Sequence, residues 1–66
     1  MIVVDTGVLY AAADRDDPDH DASVQLLADF PPEALLVPTT VIAETAWLIE
    51  SRLGPIAEVA FLRALE

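Results

Sequence analysis

The chain contains no cysteine and no lysine. The first absence excludes a disulfide staple and any thiolate metal site. The second leaves Arg15, Arg52 and Arg63 as the fixed cations, against twelve acidic residues and a formal net charge of −9. A surface of that sign repels nucleic acid in general. A nucleic-acid function would need bound metal ions, or basic residues from outside the chain. No apolar run approaches the ~20 residues of a membrane span. Met1 leads straight into Ile2, with no basic leader region. The expectation is a cytoplasmic protein without membrane contact. Internal repeats, low-complexity tracts and linkers are also missing.

Length is the other shortage. A chain of 66 residues holds at most one domain, and cores of this size are marginal without a staple. Yet 55% of the residues are hydrophobic, above the roughly 45–50% usual for globular chains. A domain this small cannot hide so much apolar surface alone. A partner surface is expected: a second copy, another protein, or a second half of the same domain.

Ile2-Val3-Val4 is a short β-branched run that reads as a strand buried on both faces. Thr6-Gly7 turns into Val8–Ala13, an alanine-rich segment that prefers helix. Asp14 to Asp17 is a polar break. Asp17-Pro18-Asp19 then predicts a helix start, with Asp17 as cap, Pro18 in the first position, and Asp19 and Asp21 on the positive end of the dipole. This helix is expected to reach about Phe30, where Pro31-Pro32 stops it. Leu35-Leu36-Val37 reads as a second strand. Pro38-Thr39-Thr40 opens a helix that ends near Leu53-Gly54, and Pro55 opens a last helix, Ile56 to Leu65. The order strand, helix, helix, strand, helix, helix is that of a parallel α/β sheet with helical crossovers. Two strands do not make an independent sheet.

Ligands of open parallel sheets sit outside the carboxyl ends of the strands. Asp5 lies at that end of the first strand. The helix after Val37 starts at the same edge and carries Glu44. The two carboxylates can therefore converge although they are far apart in sequence. At about 100° per residue, Val41, Ile42, Thr45, Ala46, Leu48, Ile49 and Leu53 form one apolar arc. Glu44 falls on its rim near Leu48, and Glu50 falls in solvent.

Bland readings compete. Asp5 can simply cap the Val8–Ala13 helix. Glu44 fits no capping box: the reciprocal position would be Ala43 with Thr40 as cap, or Ile42 with Thr39. Two facing carboxylates repel unless one stays protonated. A hard cation such as Mg²⁺ or Mn²⁺ relieves that, and bound metal can activate water against a phosphodiester. Such a site normally needs more than two carboxylates. Asp5-Thr6-Gly7 also matches the triplet of retroviral-type aspartic proteases, but those are all-β folds. A phosphatase of the haloacid dehalogenase type wants a second aspartate where Gly7 stands.

The segments IVVDTGVLYAAADRDDPDH and LLVPTTVIAETAWLI together resemble the first half of a PIN-domain ribonuclease. They are most similar to the VapC-type toxins of bacterial toxin–antitoxin pairs. The resemblance runs from Ile2 to about Leu65. It implies an α/β, PIN-like three-layer fold with a parallel sheet, of which residues 1–66 would be the amino-terminal half. It implies Mg²⁺- or Mn²⁺-dependent cleavage of RNA. Asp5 and Glu44 match the family's first two acidic ligands, and Thr6 matches the hydroxyl residue supporting the first. It also implies homodimers and a cognate antitoxin that covers apolar helical grooves. The family's remaining acidic ligands lie in the second half of the domain and have no counterpart here. The chain alone is expected to be inactive, and a non-catalytic association module is the alternative.

The other candidates have plainer readings. His20 is expected at the surface in a first helical turn. Asp14, Asp16 and Asp17 read as a solvated loop and cap rather than a cation site. Glu58 and Glu66 read as solvated, and Tyr10 and Phe30 as packing residues. Trp47 falls opposite the apolar arc, either as an exposed contact residue or packed on the last helix. Three arginines are too few for an RNA track, though each can make a single phosphate contact or a salt bridge.

Overall fold

The computed structural model describes every residue, Met1–Glu66. The elements in chain order are β1 (Ile2–Val3), α1 (Thr6–Ala13), α2 (His20–Ala28), a short 3₁₀ turn (Pro32–Ala34), β2 (Leu35–Leu36), α3 (Thr39–Leu53) and α4 (Pro55–Ala64). The strands pair in parallel, Ile2 against Leu35 and Val3 against Leu36. The Val4 N–H extends the ladder by donating to the Leu36 carbonyl at 2.8 Å. The architecture is the expected α/β order, a two-stranded parallel sheet with four helices. No helix is long and apolar enough to cross a membrane.

Side-chain alternation decides which face of the sheet is covered. Partners in a parallel pair point the same way, so Ile2, Val4, Leu35 and Val37 share one face and Val3 and Leu36 the other. On the first face Val4 joins the core with Leu9, Tyr10, Ala46, Ile49 and Phe61. On the second, Val3 is 63% exposed and Leu36 43%. The expected burial of the first strand on both faces is therefore not met within these residues. The helices pack in a chain on the first face: α1 meets α2 and α3, and α3 meets α4. That arrangement leaves the Val3–Leu36 face bare.

Helix boundaries show where local chemistry differs from the expectation. Asp17 does not cap α2. Its Oδ1 accepts from the Asp19 N–H at 2.8 Å, an Asx turn. The His20 N–H returns to the Asp17 carbonyl at 3.0 Å. These bonds use the aspartate for a turn around Pro18, so the helix starts at His20 with Asp19 in the cap position. It also stops at Ala28, not Phe30, because the residue before a proline is pushed out of helical backbone. Phe30 is consequently 37% exposed, and its expected packing role is not realised. Glu58 departs as well: it is half-buried. Burial, followed by the neighbouring Glu50 charge, raises its carboxyl above the ordinary value.

The α3 arc is realised, with Thr45, Ala46 and Ile49 buried and Val41, Ile42 and Leu48 half-buried. Leu53, its last member, is exposed. Gly54 then turns the chain into α4 at φ +94°, a backbone region that side-chain-bearing residues rarely adopt. Its N–H closes α3 on the Ile49 and Glu50 carbonyls. Trp47 is 65% exposed, which sets aside packing on α4.

Thr45 is fully buried, and its hydroxyl has no hydrogen-bond partner. A buried hydroxyl without a partner carries a desolvation penalty. Thr45→Val is expected to stabilise the chain by about 1 kcal/mol, read as a higher urea midpoint at unchanged slope. A lower midpoint would mean that the hydroxyl is bonded in solution.

Candidate functional site

Parallel pairing sets the site. Both strands end at the same edge, so Asp5 after β1 stands beside the Val37-Pro38 entry to α3. Asp5 is an extended residue at φ −99°, ψ 172°, and its Oδ1 accepts from the Val8 N–H at 3.0 Å. Val8 is the third residue of α1, so Asp5 is an N-cap of the usual geometry. The cap reading is therefore correct, but it occupies only one carboxylate oxygen. Oδ2 makes no hydrogen bond within the chain.

A cleft of about 640 Å³ opens at this point. Asp5 and Thr6 form one end, α2 contributes Ser23, and α3 contributes Leu48 and Arg52. Asp17 and Asp19 line it from the turn before α2. Glu44 does not line the cleft. It is exposed and stands one turn before Leu48, in the row Glu44, Leu48, Arg52 that successive steps of four place on one helix face. Asp5 and Thr6 thus share the cleft, whereas Glu44 stands beyond its lining on the same row. No group of three or more His, Asp or Glu side chains converges anywhere in the chain.

Among the other acidic residues, Asp14 and Asp17 are tied into local structure. Asp14 accepts from the Asp16 N–H through Oδ1 at 3.0 Å and from the Tyr10 hydroxyl through Oδ2 at 2.7 Å. The Asp14–Asp17 segment is a bonded turn, not a cation cage. His20 lies in the first turn of α2, half-buried rather than at the surface, with Nδ1 2.8 Å from the Ala11 carbonyl. It joins α2 to α1. Tyr10 is buried, and the Arg52 guanidinium lies over its ring, 5.1 Å from the centroid.

The Tyr10–Asp14 bond shifts both partners. The hydrogen bond to Asp14, then burial, raises the phenol above its ordinary 10.0, against a lowering contribution from Arg52. The hydrogen bond from Tyr10, then that from the Asp16 N–H, lowers the Asp14 carboxyl below its ordinary 3.8. For the raised phenol, the stabilisation is complete below 10.0 and lost as pH rises through the raised value. For the lowered carboxyl, it is complete above 3.8 and lost as pH falls through the lowered value. The chain has one tyrosine, so ultraviolet absorbance reads this group alone. The phenol is expected to ionise above 10.0, and Asp14→Asn to bring it down. An unmoved titration in the variant would show that the bond is absent in solution.

Sequence reasoning did not single out Arg52 or Ser23 for this cleft. For Arg52 a signal was present: it lies one further step of four beyond Leu48 on the row that begins at Glu44. Ser23 carried none, because its place depends on how α2 packs on α1.

Comparison with known proteins identifies the family. The PIN domain family matches residues 2–66. Ribonuclease VapC26 of Mycobacterium tuberculosis is 41% identical over 64 residues, covering 97% of this chain and 47% of that protein. The chain thus spans about half the length of the curated relative it matches. No solved structure matches it.

Proposed function

Because this chain belongs to the PIN-domain family and is homologous to a VapC-type ribonuclease toxin, we propose that it is the amino-terminal half of a metal-dependent endoribonuclease, the toxin of a toxin–antitoxin pair. The observation that carries the reading is Asp5, held by its cap bond at the carboxyl end of the parallel sheet with one oxygen unengaged. Asp5 and Glu44 are the metal-holding residues. Their carboxylate oxygens are the donors that Mg²⁺ and Mn²⁺ prefer, and Thr6 supports Asp5 from the start of α1. When bound, such a metal supplies activated water and charge stabilisation at the phosphodiester. The part of this chain is to fix Asp5 on a rigid helix start and to present Glu44 from the facing helix.

The rest of the domain and its partners follow as part of the same proposal. A completing second half covers the bare Val3–Leu36 face and adds the remaining acidic ligands; a second copy is the other candidate for exposed apolar surface. The antitoxin takes the groove of about 430 Å³ between α1, α2 and α4, whose nine lining residues are all apolar, Leu9, Leu27 and Phe61 among them. RNA is the substrate, and the cytoplasm is the compartment. A second reading, a non-catalytic association fragment, is favoured by the same exposed apolar surface and by the absence of any group of three or more His, Asp or Glu side chains that could hold a metal.

Paramagnetic Mn²⁺ separates the two. In nuclear magnetic resonance spectra of the chain, Mn²⁺ is expected to broaden Asp5, Thr6 and Glu44 before any other acidic residue. Broadening spread evenly over the Asp14–Asp21 segment, with Asp5 and Glu44 spared, would remove the nuclease reading and leave the association fragment.

A further inference from the structure

We propose that Arg52 and Ser23 form a phosphate subsite in the cleft beside Asp5, which holds one phosphodiester group of a single-stranded RNA. The inference rests on the nuclease reading for the identity of the ligand, but its geometry is independent of the metal residues.

Arg52 is the one cation lining the cleft, which also carries Asp5, Asp17 and Asp19. In a chain of net charge −9, a guanidinium among three carboxylates would be expected to pair with one. It does not: no side-chain hydrogen bond joins Arg52 to a carboxylate. Asp17 spends an oxygen on the Asp19 N–H, and Asp5 spends one on Val8. Asp14 is bonded to Tyr10 and Asp16, and Arg52 acts on it only as a nearby charge. Apart from its contact with the Tyr10 side chain, the planar fork of the guanidinium is open to an outside acceptor, and it suits phosphate oxygens in a bidentate pair.

The side chain is also held in place. Its guanidinium rests over the Tyr10 ring, and that ring is fixed by burial and by the 2.7 Å bond to Asp14. A cation pre-positioned on an aromatic face loses less freedom on binding than a free one. Ser23, on the α2 wall, is 6% exposed and lines the same cleft. In this proposal its hydroxyl serves as the second donor. Leu26 and Leu48 add apolar wall against which a base can lie. The volume of about 640 Å³ falls within the range of small-ligand sites. The bland alternative is that Arg52, in the last turn of α3, only complements the helix dipole.

The test uses the whole chain and a labelled short oligouridylate, with Ca²⁺ present in place of Mg²⁺. Arg52→Gln is expected to weaken binding about tenfold, and to flatten the salt dependence by about 0.7 in log–log slope, the value of one released counterion on a single strand. Arg52→Lys should restore the slope but not the full affinity, because a point charge replaces a fork. Ser23→Ala should weaken binding without changing the slope. Unchanged affinity and slope in Arg52→Gln would overturn the proposal, as would failure of the unaltered chain to bind the oligouridylate. The nuclease reading fails by a different measurement, when Mn²⁺ leaves Asp5 and Glu44 unbroadened. Loss of helical circular dichroism in Arg52→Gln would point to the dipole role and also overturn the subsite.

Discussion

Asp5→Asn is expected to weaken Mn²⁺ binding roughly 100-fold or more while leaving the folding stability of the chain nearly unchanged. The magnitude is a lower bound: outer-sphere partners of metal ligands already cost about 10–100-fold when removed, and Asp5 is proposed as a direct ligand. The neutral stability follows from the cap. Asp5 Oδ1 accepts from the Val8 N–H, and the asparagine side-chain carbonyl can accept the same bond; asparagine and aspartate are about equal at this position. Asp5→Ala removes both functions at once and is expected to cost about 1 kcal/mol in addition. The pair of variants separates the two roles of one side chain. Isothermal titration with Mn²⁺ and urea unfolding of each variant are the measurements. If Asp5→Asn binds Mn²⁺ as well as the unaltered chain, Asp5 is a cap and nothing more.

Ile49→Ala is expected to cost about 3 kcal/mol, within the range of large-to-small core substitutions. Ile49 has no exposed surface and is the largest fully buried apolar side chain. It stands where α3 meets both α1 and α4, in one cluster with Leu9, Tyr10 and Phe61. The cluster has only six buried members, so the loss of one removes a large share of the core. A chain of this length has little stability in reserve, so the variant should lose most of its cooperative unfolding transition in urea. Trp47 fluorescence is a poor probe for it, since that side chain is already exposed; far-ultraviolet circular dichroism reads the helices directly. A transition as steep as that of the unaltered chain, with a midpoint within a few tenths of a molar of it, would show that the core lies elsewhere.

The two expectations bear on different parts of the chain, and they differ in how far the sequence exposed them. Ile49 stood in the middle of the apolar arc of α3, and the arc alone placed it in the core. Asp5 had two readings that local pattern could not separate, because a cap and a ligand both place an acidic residue between a strand and a helix. The structure shows the cap bond and leaves the second oxygen available. Glu44 was legible as a residue on the rim of the arc. Its position relative to the cleft was not, since that depends on the angle at which α3 crosses α1. Asp17 misled for a local reason: it serves its own turn through the Asp19 N–H before any helix begins. Phe30 misled because Pro31 ended the helix before that ring could reach a partner.

What the sequence determined by itself was the element order, the family to which the chain belongs, and the identity of the core helix. Each depends on short-range information: apolar period, helix-starting prolines, Gly54, and the Asp5-Thr6 and Pro38–Glu44 segments. Only the tertiary structure decided which sheet face is covered and which charged side chains share a cleft. Val3 and Leu36 look as apolar as Val4 and Leu35. The pleat and the parallel register put them on the face that no helix of this chain reaches. Arg52 and Asp5 line one cleft because α3 packs on α1. Such facts depend on the packing of distant segments, which no local pattern encodes.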